Sequence, residues 1–369
     1  MTSIDWCYAV QILREDCTLV RQVPVSMDWD PLAEWLRYLA LQRCVPTSVA
    51  LALECTVAPI WSSQTGAPFL DGIRGQIQGD SYGDLAADYG VGVFNAPARL
   101  AANTLVTEGL LADGEAYRVL PVAYSRAEEG AAAGTKSRFS TRLVAPALPI
   151  VAGSVTSFLE RACGPVEGDD DEDDCPVFLP DQILDETRAL AHAADARETG
   201  GLLIGHLHRG ADMQLFLEVT AQLPAQHVDA SQTRLTFTSD TWTEFRAALS
   251  LRRRDEIMLG WWHSHPVREW CKDCSEAQQR VCSLRGDFLS EDDRLLHRAI
   301  FPRAYSLALV VNDVGYQGPT LSLFGWRRGL IVLRNYHVLD PSACVETAPG
   351  PAPQESSTSA NQEEHGAHQ

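Results

Sequence analysis

Gly260-Trp-Trp-His-Ser-His-Pro266 is the stretch on which the reading of this 369-residue chain turns. Ile257 to Leu259 form a short apolar run ending in Gly260, the pattern of a buried strand leading into the stretch. Successive side chains on a strand alternate between faces, so His263 and His265 share one face and Ser264 takes the other. Two imidazoles on one face, separated by a single serine, can ligate one zinc ion. Pro266 then ends the ladder, because it has no N–H to give.

A second segment answers the first. Ser290-Glu-Asp-Asp293, followed by Leu295, Leu296, Ala299 and Ile300 at helical spacing, reads as a helix start, and Pro302 closes that helix. Taken alone it is a capping box. Beside an upstream His-x-His it also offers a carboxylate. His263, His265 and Asp293 would then give zinc three protein ligands and leave the fourth position for water, the arrangement of a catalytic ion rather than a structural one.

With Glu198 upstream in Arg197-Glu-Thr-Gly-Gly-Leu-Leu-Ile-Gly205, these residues resemble the JAMM motif of the JAMM/MPN (JAB-domain) zinc metalloproteases and isopeptidases. The resemblance covers roughly residues 176–340, with five functional positions in the family's order. One departure is plain: 24 residues lie between His265 and Ser290, more than the family usually has. The resemblance implies an α/β domain with a central β-sheet flanked by helices, cytidine-deaminase-like, and one catalytic Zn2+. It implies hydrolysis of an amide or isopeptide bond at the C-terminus of a ubiquitin-like protein. In such a site zinc lowers the pKa of a water and polarises the scissile carbonyl. Glu198 would take the water's proton and return it to the leaving amine, and Ser290 would donate a hydrogen bond to the oxyanion. The plainer reading of Glu198 is an exposed acid at a helix end. The Thr-Gly-Gly and apolar Leu202–Ile204 that follow place it against a buried strand instead.

Composition sets the outer bounds. With 45% hydrophobic and 21% charged residues the sequence is that of a soluble globular protein, long enough for two domains. The N-terminus shows no basic segment followed by an apolar core, and no run reaches membrane-spanning length, so a cytoplasmic protein is expected. Its ten cysteines then read as reduced thiols or metal ligands. The net charge of −19 gathers in 167–174 and in the tail from Glu346, and it argues against nucleic-acid binding.

Residues 1–165 read as a mixed α/β accessory domain. Strands are expected at Trp6–Leu13 and Val49–Val57, with a helix after Asp30-Pro31 carrying Leu32, Trp35, Leu36 and Leu39. This region holds no histidine, the first being His192, so a second His-x-His site is excluded there. An acidic linker is expected over 166–176, because such runs repel themselves and stay solvated. The metalloprotease domain follows over 177–340, with Asp181 capping a helix that leads to Glu198. Its expected strands lie at 215–219, 235–238, 306–311, 321–325 and 330–333, with a helix over 240–252. Residues 345–369 read as a disordered tail.

The insertion has chemistry of its own. Cys271-x2-Cys274-x7-Cys282 has the close first pair of a structural zinc knuckle, and a short loop without a core needs such a staple. The fourth ligand would come from His206, His208 or another cysteine. The plainer reading is three free thiols packed by Trp270. Two lysines against 28 arginines suggest a GC-rich bacterial genome. The expectation is therefore a bacterial zinc isopeptidase acting on a ubiquitin-like protein or its conjugates, beside activating and conjugating enzymes, without nucleic-acid or membrane partners. The alternatives are a peptidase processing a sulfur-carrier or ubiquitin-like precursor, and a non-catalytic MPN scaffold.

Overall fold

The structure, a computed structural model, describes residues 6–62, 69–79, 83–125, 148–166, 171, 174–226, 228–230, 235–275, 278, 282, 284, 286–313 and 319–339. The motif strand, Ile257–His265, lies inside a ten-stranded mixed sheet. It pairs antiparallel with the strand Gly200–Arg209 on one side and parallel with Leu307–Asp313 on the other. Beyond Leu307–Asp313 come Pro319–Arg327 and Leu330–Leu333. Beyond Gly200–Arg209 come Leu215–Pro224, Val177–Pro180, Tyr336–Leu339 and Ala162–Val166, while Val151–Ala152 pairs with Gly200–Arg209 off that path. From Leu259 to His265 every residue of the motif strand is buried, as a strand covered on both faces should be.

The two faces read directly from the alternation. Trp262, Leu203, Leu207, Leu309 and Val311 enter one core, which the helix Asp181–Ala194 covers with Ile183, Leu184 and Ala191. Trp261, Leu202, Ile204, Ala308 and Val310 enter the other, packed by Phe245 of the helix Ser239–Arg252 and by Leu289 and Phe301. Gly260 sits where strand and neighbour come closest, since an added Cβ would lie 1.9 Å from the Leu307 carbonyl oxygen.

The first half of the chain builds two three-stranded sheets. One runs Leu19–Val25, Trp6–Arg14, Tyr117–Ser125, and the other Thr56–Trp61, Leu70–Ile77, Leu85–Gly90. The helices Asp30–Gln42 and Asn95–Thr107 accompany them. Pro31 stands in the first turn of the former; Leu32, Trp35 and Leu36 are buried, as the spacing predicts, while Leu39 is half-buried. These side chains belong to the same buried cluster as Trp262 and Leu203. Glu34, buried at 7% exposure, accepts hydrogen bonds from Arg37 at 2.7 Å and from Arg303 of the second half at 2.9 and 3.0 Å.

Several expectations need correction. The Val49–Val57 run is not one strand: residues Thr47–Ala50 form a short helix and the strand begins at Thr56. The Pro46 carbonyl accepts from the Val49 and Ala50 N–H groups, closing a helical turn that the apolar run conceals. Asp181 is the first residue of its helix rather than the cap; Pro180 holds the cap position without a side-chain hydrogen bond. Strands Val151–Ala152 and Ala162–Val166 precede the acidic run yet pair within the large sheet. Most of that run lies outside the described residues. Of it, Asp171 pairs with Arg328, and Asp174 reaches Arg327 and the buried Arg334. The tail from 345 lies outside the described residues.

Candidate metal centre

Strand register assembles the first part of the site. Gly200 stands opposite His263, so two residues upstream Glu198 falls opposite His265 on the same face. Ser264 points the other way and locks the segment: its Oγ accepts from the Thr199 N–H at 3.0 Å, and its N–H donates to the Thr199 carbonyl at 2.8 Å. The second part comes from the helix Glu291–Ile300. Ser290 caps it, with its Oγ accepting from the Asp293 N–H at 3.1 Å while Asp293 Oδ2 accepts from the Ser290 N–H at 2.8 Å. The capping box is real, and Asp293 faces the histidines as well.

His263 and His265 bring their Nε2 atoms to 3.0 Å of each other. Asp293 Oδ1 lies 3.3 Å from His263 Nε2, and its Oδ2 lies 3.5 Å from His265 Nε2. A tetrahedral ion with bonds of about 2.0–2.1 Å spaces its ligands by about 3.3–3.4 Å, so all three separations suit one such ion. The tautomer fits too. Asn312 Oδ1, 3.0 Å from His265 Nδ1, accepts a hydrogen bond from Nδ1–H, which leaves Nε2 as a lone pair toward Asp293. The His263 ring stacks on Trp261 at 4.4 Å and 10°, which sets its plane, and Trp261 Nε1 in turn donates to His297 Nδ1 at 3.1 Å. His297, wholly buried, has its pKa pushed down to about 3 by that burial, so it is a neutral core residue.

The electrostatics follow from crowding two imidazoles and two carboxyls in a largely buried site. Burial opposes ionisation of Asp293, but the histidines, His263 foremost, hold its carboxyl far below the usual range. Burial also opposes protonation of His263; Asp293 and then Glu198 outweigh it and raise its pKa. For His265 burial wins and its pKa falls. Glu198, 6% exposed, is pushed up to about 7, mainly by burial, with His263 pulling the other way. A carboxyl so tuned can both accept and release a proton near neutrality.

Among the described residues, two groups bring three metal-ligating atoms within 4.8 Å of one another: His263, His265 and Asp293, and separately His206, His208 and Glu218. The cysteines of the insertion lie near one another but do not meet that spacing. Cys271 and Cys282 approach to 3.6 Å between sulfurs, and Cys274 and Trp270 pack in the same small cluster. Burial, then Cys282, pushes the Cys271 thiol up. The structure groups His206 and His208 with Glu218, not with these thiols. Asn312 is the site residue that sequence reading missed; its one signal is an amide ending the apolar run Leu307–Val311.

Residues 180–269 match the family model described as prokaryotic homologs of the JAB domain. A solution structure of protein DSY2949 from Desulfitobacterium hafniense is similar at 21% identity and a TM-score of 0.31, over 44% of this chain and 92% of that one. No curated protein matches.

Proposed function

The chain carries a JAB/MPN domain within its mixed α/β second half, and from that premise we propose that it is a zinc-dependent hydrolase of amide or isopeptide bonds. The observation that carries the proposal is the convergence of His263 Nε2, His265 Nε2 and Asp293 at 3.0–3.5 Å, beside a buried Glu198. A zinc ion held by these three residues would supply Lewis-acid polarisation of a carbonyl and an acidified water.

The chain's own residues do the rest. Glu198 removes a proton from the attacking water as it adds to the carbonyl carbon. It delivers that proton to the amine as the C–N bond breaks, and burial, which raises its carboxyl pKa, favours the proton-holding form between the two steps. Ser290 Oγ accepts from the Asp293 N–H, which leaves its own O–H to donate to the oxyanion. Trp261 and Asn312 keep the two imidazoles in register. The substrate we assign is the C-terminus of a ubiquitin-like protein, joined to an amine by a peptide or isopeptide bond. Its support is the resemblance around Glu198, the His-x-His pair and Ser290-x-x-Asp293.

The test pairs metal content with turnover of a ubiquitin-like protein bearing a C-terminal fluorogenic amide. His263→Ala should lose one zinc equivalent and all activity. Glu198→Gln should keep its zinc and lose about 10²–10⁴ in rate. Unchanged zinc in the first variant would overturn the ligand assignment. Full zinc with no hydrolysis in the wild type would turn the reading to a scaffold.

A further inference from the structure

A second His-x-His lies on the strand that follows Glu198. His206 and His208 alternate onto one face of Gly200–Arg209, about 25 Å along the strand from Glu198 at its usual rise. The carboxylate facing them is placed by an irregularity. The strand Leu215–Pro224 holds one extra residue, Thr220, between the pairs Ile204↔Ala221 and Gly205↔Val219. Past that bulge Glu218 stands directly opposite His206. Without it the register would slip by one and Glu218 would meet Leu207 on the other face.

The ring nitrogens of His206 are then unequal. Nε2 lies 2.8 Å from the Arg254 carbonyl oxygen, which only accepts, so Nε2 carries the proton. In the neutral ring Nδ1 is therefore a bare lone pair, and it faces Glu218 Oε2 at 3.6 Å. His208 Nε2 lies 2.9 Å from the same oxygen. Burial opposes ionisation of Glu218, but the hydrogen bond from His208, with His206 and Arg161, holds its carboxyl below the usual range; His208 Nε2–H makes that bond in the metal-free site, and a bound ion would take the place of its proton. A lone pair set against a carboxylate needs a positive charge between them, a proton or a metal ion, and 3.6 Å is too long for a hydrogen bond. The separations of 2.9 and 3.6 Å bracket the ligand spacing of a tetrahedral zinc-class ion, as those of the first group do.

We propose that His206 Nδ1, His208 Nε2 and Glu218 bind a divalent ion of the zinc class, distinct from the ion of the first group. The Nε2–H of His206 on a backbone carbonyl is the outer hydrogen bond that orients a ligating imidazole. Side-chain exposures of 18%, 8% and 25% leave the site reachable from solvent. Imidazole and carboxylate together favour Zn2+ over Ca2+ or Mg2+, which take oxygen ligands. Arg254 lies just ahead of the motif strand, so the ion would pin that turn to the two neighbouring strands.

The experiment strips the full chain with chelator and titrates it with Zn2+ alone against a chromophoric competitor. Glu218→Gln and His206→Gln should each bind one equivalent fewer than wild type, while His263→Ala loses a different one and the losses add. Folding of each variant is checked by far-UV circular dichroism. Because a variant can fail to fold, the imidazole nitrogens of 15N-histidine wild type are followed as well. Zn2+ should move the signals of His206 and His208 together in a step separate from that of His263 and His265. Equal zinc counts in wild type and a folded variant, or His206 and His208 signals that ignore Zn2+, overturn the site.

Discussion

Gly260→Ala is the sharpest test of how the motif strand is held. The new Cβ would stand 1.9 Å from the Leu307 carbonyl oxygen and 2.7 Å from its carbon, where contacts under 3.0 Å essentially never occur. Both partners are backbone, so no side chain can rotate away, and the parallel pair must part by about 1 Å. Overpacking of this kind costs about 1–3 kcal/mol, and each stretched ladder hydrogen bond adds about 0.5–1.5 kcal/mol. A loss of about 2–5 kcal/mol is expected, a large share of the roughly 5–15 kcal/mol that holds a typical domain. Urea unfolding should show a lower midpoint at an unchanged slope. Gly90→Ala is the matched control, since Gly90 has φ of −68° and nothing within 4 Å of an added Cβ. It should be neutral or gain up to about 1 kcal/mol. A Gly260→Ala midpoint equal to wild type would refute the packing argument.

Three further variants separate structure from chemistry. Ser290→Gly should cost only a few tenths of a kcal/mol as a cap, yet lower hydrolysis by about 10²–10³ through loss of the oxyanion donor; parallel losses of stability and rate would reduce Ser290 to a cap. Glu34→Gln removes the charge that Arg37 and the partly exposed Arg303 share, and should lower unfolding stability by about 1–2 kcal/mol. An unchanged midpoint would mean that this contact between the halves is ornamental. We propose that Cys271, Cys274 and Cys282 hold a structural zinc; Cys271→Ser with Cys274→Ser should then remove one equivalent and leave the His263 ion in place. Equal zinc in that variant makes them plain thiols.

What was legible in the sequence is what is local. His-x-His needs only strand alternation, and Ser290-x-x-Asp293 needs only the geometry of a first helical turn, so both could be read without knowing the fold. Pro31 and the Leu32, Trp35, Leu36 spacing are local in the same sense, and the helix Asp30–Gln42 lies where they put it. The Val49–Val57 run misled because an apolar stretch does not reveal that a proline carbonyl closes a turn beneath it. Asn312 and Glu218 could not be found that way. Their roles arise from strand pairing across long sequence separations, and for Glu218 from a single bulge residue. The buried cluster shared by both halves has the same long-range origin.

Asp293 divides its carboxylate between two tasks, closing the capping box and facing the histidines. A helix of ten residues is too short to persist on its own in water. Ordering that first turn and filling the metal site are therefore one thermodynamic event seen from two sides, and each must favour the other by the same factor. The insertion 266–289 delivers Ser290 to its cap position, so it acts on that shared equilibrium without contributing one of the three ligands. Stiffening the last residues before Ser290 would lower the entropy lost when the turn closes and would raise metal affinity from a distance. The long insertion is thus a place where affinity for the ion can be adjusted while the ligand set stays constant.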